Sequence, residues 1–112
     1  MKLSDTLELR EVLMQDTTLG ITAVAPIVAN YDAKYPYISY QRKSVEMARY
    51  KRGDEISSAI FDVAVWSDDY DHGIAITERV MAMLCAQGYT LVTVTETFEV
   101  GAYAQVITVE MQ

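Results

Sequence analysis

A chain of 112 residues with one cysteine, one histidine, two prolines and five glycines is poor in several kinds of chemistry. With Cys85 alone, no disulfide forms within the chain, which suits a reducing compartment and leaves stability to packing. With His72 and Cys85 the sole residues of their kinds, a Cys/His nucleophile–base pair is not expected. Cys85 falls in the last turn of an expected helix and is read as a small core or semi-buried residue. Gly20, Gly53, Gly73, Gly88 and Gly101 stand apart from one another, so there is no glycine-rich phosphate loop. No run approaches the roughly 18 apolar residues of a membrane helix. Met1-Lys2-Leu3-Ser4-Asp5 turns polar too early for a secretion signal. A soluble protein made without secretion is expected, with no membrane partner, no cofactor and no metal.

About half of the residues, 51%, are hydrophobic, enough to build one core in a single domain spanning 1–112. The net charge of −7 opposes non-specific nucleic-acid binding by the surface as a whole. Its distribution is uneven. Lys34, Arg42, Lys43, Arg49, Lys51 and Arg52 face one acid, Glu46, within residues 34–52. A basic projection on an acidic body is the expected result. Tyr35, Tyr37, Tyr40 and Tyr50 are interleaved with these cations, a mixture that also suits stacking on single-stranded nucleic acid. Tyrosines in strands more often serve packing, so at most a non-specific DNA contact is read here.

The pattern along the chain alternates helix with hairpin. Asp5 and Glu8 read as a capping box for a helix over 5–15, with Leu9, Val12 and Leu13 on its apolar stripe. Residues 21–28, interrupted by Pro26, suit an irregular segment or a short edge strand. A strand over 37–47 and a return strand over 56–66 flank an expected turn at 48–55. In the return strand, Ala59, Phe61, Val63 and Val65 share one face by period-2 alternation. Ser67-Asp68-Asp69 offers caps to a helix over 69–87, with Tyr70, Gly73, Ile76 or Thr77, Val80 and Leu84 buried and Gly88 as its stop. Strands over 89–99 and 103–111 follow. The order α-β-β-α-β-β defines an α+β two-layer sandwich, a four-stranded, mainly antiparallel sheet with two helices on one face.

Asp68, Asp69, Asp71 and His72 form the densest set of metal-type ligands. Neighbours at a helix start point in different directions, and acids there already complement the helix dipole. No carboxylate pair stands out for acid–base work, so catalysis is not expected.

A sheet covered on one face leaves the other open. That second face contains Ile56, Ile60 and Trp66, more apolar than a solvated surface requires, and tryptophan is favoured at interface hot spots. Ile56, Ile60 and Trp66, together with Arg49, Lys51 and Arg52 of the basic hairpin, are the candidate protein-contact residues. The alternative is that the first helix or residues 21–28 cover that face.

Several pieces in order resemble the tail-completion and tail-terminator proteins, the head–tail joining proteins of long-tailed bacteriophages and prophages. They are a leading helix ending near Gln15-Asp16, the strand opening Pro36-Tyr37-Ile38-Ser39-Tyr40-Gln41-Arg42, and the strand end Phe61-Asp62-Val63-Ala64-Val65-Trp66-Ser67. Asp69-Tyr70 then leads into a helix with Gly73, Ile76, Val80 and Leu84, followed by a closing hairpin. Residues 21–33 and 48–55 match the pattern poorly. The resemblance implies a structural virion assembly protein of the tail or neck, made in the bacterial host cytoplasm. It further implies self-association into a six-subunit ring, with the tail tube protein and the head–tail connector as partners. Whether the basic hairpin then meets a neighbouring protein or channel DNA stays open. A small-ligand-binding regulatory domain acting as an oligomer, and an enzyme with an unrecognised acid pair, are the rival readings.

Overall fold

The computed structural model describes residues 8–14, 24–26, 35–50, 53–99 and 101–111. The elements are α1 (Glu8–Met14), β1 (Val24–Pro26), β2 (Tyr37–Tyr50), β3 (Gly53–Ser67), α2 (Tyr70–Ala86), β4 (Thr90–Glu99) and β5 (Ala102–Met111). The four long strands form an antiparallel sheet, and β1 adds a short parallel edge, giving the order β1-β2-β3-β5-β4. The α+β sandwich expected from the pattern is therefore the fold, with β1 as the edge strand inside residues 21–28. The capping residue Asp5 lies outside the described residues.

Alternation along β3 decides which face is covered. Ala59, Phe61, Val63 and Val65 are buried together with Ile38 of β2 and Ile107 and Val109 of β5. Leu9, Val12 and Leu13 of α1 and Ile76, Val80 and Leu84 of α2 close this core from above. Register partners in an antiparallel ladder share a face, so the pairs Val65–Gln105, Val63–Ile107 and Phe61–Val109 all look toward the helices.

The approach of α2 to the sheet depends on Gly73. A Cβ placed there would stand 3.0 Å from the Ser67 Cβ, tighter than most packed carbons, so Ser67 would have to give way by a few tenths of an ångström. Ser67 is itself buried, and its hydroxyl donates to the Asp69 carbonyl at 2.8 Å and accepts from the Asp69 amide at 3.1 Å. Asp69 then caps the helix by accepting the His72 amide at 3.0 Å. At the other end, Gly88 has φ +90°, the Tyr89 amide bonds the Leu84 carbonyl at 3.0 Å and the Gly88 amide bonds that of Cys85 at 3.1 Å. That is a Schellman cap, and Tyr89 joins Leu84 in the core as the motif's apolar contact.

Three sequence expectations are corrected. The turn expected over 48–55 is much tighter, because β2 continues to Tyr50 and β3 resumes at Gly53. Charged residues signal a turn only where a strand must be covered, and this stretch stands clear of the helices. Tyr70 is not on the buried stripe of α2. It sits at the first helical position and is 43% exposed, with its ring edge-on to Tyr103 at 5.1 Å. Cys85 is exposed, because Leu84 already occupies the inward position of that last turn.

The β2–β3 hairpin outruns the rest of the sheet. Only Ala59–Ser67 of β3 pair with β5, whereas Gly53–Glu55, Ile56 and Ser58 pair with β2 alone among the described residues. The longest dimension of the molecule is 51 Å, close to fifteen strand residues at about 3.3 Å each. The radius of gyration, 14.7 Å, exceeds the roughly 13 Å of a compact chain this size. A two-stranded arm on a compact body accounts for both.

Candidate functional site

On the face turned away from the helices, β2 contributes Tyr37, Ser39 and Gln41, opposite Trp66, Ala64 and Asp62 of β3. Beyond these, Ala104, Val106, Thr108 and Glu110 of β5 lie opposite Trp66, Ala64, Asp62 and Ile60. Thr97, Thr95 and Thr93 of β4 complete the rows. This face is a mosaic of apolar and polar positions.

Trp66 is half-buried and anchored. Its indole Nε1 donates to Ser39 Oγ at 3.0 Å, and its ring stacks on Tyr37 with centroids 6.1 Å apart. Tyr35 continues the stack on the far side of Tyr37 at 5.5 Å. Burial, followed by the neighbouring Tyr35, raises the Tyr37 hydroxyl above its ordinary pKa. Tyr40 turns the other way and packs against the core. Of the tyrosines interleaved with cations in the sequence, Tyr35 and Tyr37 thus stack on one face and Tyr40 packs on the other, while the Tyr50 side chain lies outside the described residues. Ile60 is half-buried on the open face beside Asp62, which accepts from Thr108 Oγ1 at 2.8 Å and meets Lys43 Nζ at 3.7 Å.

Of the other expected contact residues, Arg49 and Ile56 are strand positions opposite Asp54 and Met47, and their side chains lie outside the described residues. Lys51 and Arg52 lie wholly outside them. Among the described residues, no three acidic, histidine or cysteine side chains converge as a metal site. None of the described helices is long and apolar enough to cross a membrane.

Apart from Met14 of α1, at 54%, the most exposed aliphatic and phenylalanine side chains among the described residues are on β4. Val92, Val94 and Phe98 of β4 are 52%, 43% and 61% exposed. Val94 and Phe98 are register partners of Ile107 and Tyr103, so they lie on the helix side, beyond the cover that α2 provides. Val92 sits at the register shift between Leu91 and Thr93. Phe98 and Tyr103 pack at 4.9 Å and Tyr103 meets Tyr70, making an aromatic corner at the sheet margin.

Glu96 is the polar centre of that corner, accepting from Gln105 Nε2 at 2.6 Å. The Gln105 hydrogen bond, followed by one from Tyr70, holds the Glu96 carboxyl below the ordinary range. In return, the bond to Glu96 and its charge push the Tyr70 hydroxyl up. The sequence signal for this strip was the run Val92-Thr93-Val94-Thr95, which reads as an ordinary strand until its place at the sheet margin is known.

Fold and surfaces together define a small structural module, a two-layer sandwich with an open mosaic face, a projecting arm and a partly apolar outer strand. Residues 8–103 match the family model described as tail completion protein gp17, and the chain belongs to that family. Membership of that family makes it a structural protein of the phage tail. Among solved structures, the fold is similar to a chain in the virion of the native gene transfer agent (GTA) particle. The two share 18% identity with a TM-score of 0.72, over 91% of this chain and 88% of the other. No curated protein matches.

Proposed function

We propose that this chain completes the tail at the head–tail junction, capping the tail tube and joining it to the connector as a ring of copies. The observation that carries this reading is the family match, which runs from α1 into β5 and so takes in nearly every element of the fold. The mechanism is purely one of contact. A ring needs a heterologous interface, in which one surface of each copy meets a different surface of the next. The open face with Ile60 and Trp66, the β2–β3 arm and the outer strand β4 supply distinct surfaces for neighbour, tube and connector, and Ile56, Arg49, Lys51 and Arg52 remain the contact candidates that the sequence names. An acidic body, −7 overall, keeps genome DNA from adhering as it passes. Synthesis takes place in the host cytoplasm, and the finished protein resides in the tail or neck.

The test is genetic and visual. Particles produced without this chain are examined by electron microscopy, with the wild-type chain supplied in trans as control. Unjoined heads and tails, or tails of irregular length, restored by the supplied chain, are the expected result. Complete particles of normal length without the chain would refute the reading.

A further inference from the structure

β4 is the outermost strand of the sheet, so one edge of its backbone has no strand partner among the described residues. Natural sheets blunt such an edge with lysine, proline or inward-pointing charge. β4, with the sequence TLVTVTETFE, has neither lysine nor proline; its guards are an irregularity between Leu91 and Thr93 and the helix-side Glu96, whose carboxylate is engaged by Gln105. Beside that edge, on the helix side, lies the exposed strip of Val94, Phe98 and Tyr70, with the exposed Val92 at the nearby irregularity. Unsatisfied backbone groups next to exposed apolar side chains form the kind of surface that takes up an added strand.

The charge of the edge selects among strands. All charges on β4 are negative, Glu96 and Glu99, so pairing two β4 edges would bring like charges together. The chain holds one markedly basic stretch, residues 34–52, and β2 runs through it. Among the described residues, β1 pairs with β2 at Ile38, Ser39 and Tyr40. From Gln41 to Tyr50, β2 has β3 as its only strand neighbour among the described residues, and that stretch is as long as the ten-residue β4. Its outer half, Glu46–Tyr50, lies opposite the part of β3 that has no β5 partner and so projects from the body, where another copy can reach it. Its sequence carries Arg42, Lys43 and Arg49 against the single acid Glu46.

We propose that the β4 edge of one copy pairs with the β2 side of the β2–β3 arm of a second copy, extending the sheet from subunit to subunit. This rests on the reading of the chain as a self-associating tail component and names the surfaces involved. Because edge and arm are different surfaces, each copy offers one and fills another, and the contact propagates head to tail.

Cross-linking in purified particles tests the proposal. On a Cys85→Ser background, Thr95→Cys on β4 and Ala48→Cys on the arm are introduced singly and together, then treated with a short bismaleimide. The double variant is expected to give a ladder of covalent oligomers of this chain, and each single variant only monomer. Dimers from Thr95→Cys alone would show two β4 edges meeting and overturn the proposal. A Thr95→Cys adduct with a different virion protein would overturn it in favour of a foreign strand. Monomer alone from the double variant, with the chain present in the particles, would overturn it while leaving the tail role intact. Absence of the chain from particles would instead refute that role. As an independent check, Glu99→Lys is expected to weaken self-association roughly tenfold and Arg49→Glu to restore it. Association unchanged in Glu99→Lys would count against the pairing.

Discussion

Trp66 and Glu96 each join two strands through one polar contact, and both give readable signals. Trp66 is the sole tryptophan, stacked on Tyr37 and bonded to Ser39. Its fluorescence therefore reports on the open face alone. If that face meets another subunit, emission shifts to shorter wavelength as the protein associates. Emission that stays constant across the association transition would show that contacts form elsewhere. Trp66→Phe retains the ring and removes the donor to Ser39, and a loss of about 1 kcal/mol in urea unfolding is expected. Glu96 titrates lower in the folded chain than in the unfolded one. Its contribution is present above the unfolded pKa and is lost as pH falls through the depressed folded value. Tyr70, raised by the same bond, has the opposite sign, contributing below its unfolded pKa and losing this as pH rises through the raised value. Glu96→Gln should then lower stability at neutral pH by more than at acid pH, and chemical unfolding at both checks it. An equal loss at both would mean that the charge is not what Gln105 and Tyr70 stabilise.

At the level of elements, α2 is held by its two ends and by one close approach. Gly73→Val would force bulk against Ser67, where even a Cβ stands at 3.0 Å, and should cost about 1–3 kcal/mol. Gly88 sits at φ +90° with open space around it, so Gly88→Ala tests conformation alone and should cost on the order of 1 kcal/mol. Thermal unfolding measures both. Cys85, on the outer face of the same helix, should react fully with a thiol reagent in the native state, and protection from the reagent would contradict its exposure. These elements were largely legible in the sequence, since apolar spacing, the Asp69 cap and Gly88 are local signals. Tyr70 and Cys85 were misread because periodicity gives the direction of a side chain, not whether anything covers it. The 48–55 turn was misread because charge density marks exposure, and a projecting strand is as exposed as a loop.

For the whole molecule, the order of elements carried the fold and the tail-family resemblance together, and both stand. The surface exposed most strongly was not legible. The strand sequence Thr90–Glu99 resembles any half-buried strand, and only the order β1-β2-β3-β5-β4 reveals that it lies outermost. The arm likewise emerges from unequal pairing lengths, which no single strand records. Replacing residues 46–58 by Asn-Gly would close the hairpin next to the Val45–Ala59 pair and retain nearly all of the core. Such a protein should keep its secondary structure by circular dichroism and melt within a few degrees of wild type. Collapse of the fold would show that the arm is integral to the body.

An outer strand with no neighbour beyond it among the described residues also bears on supply. Copies made in excess of their docking places would keep adding to one another, and a host cell expressing this gene alone should accumulate disordered clumps. Matching its dose to the number of growing tails is then part of what keeps the protein useful.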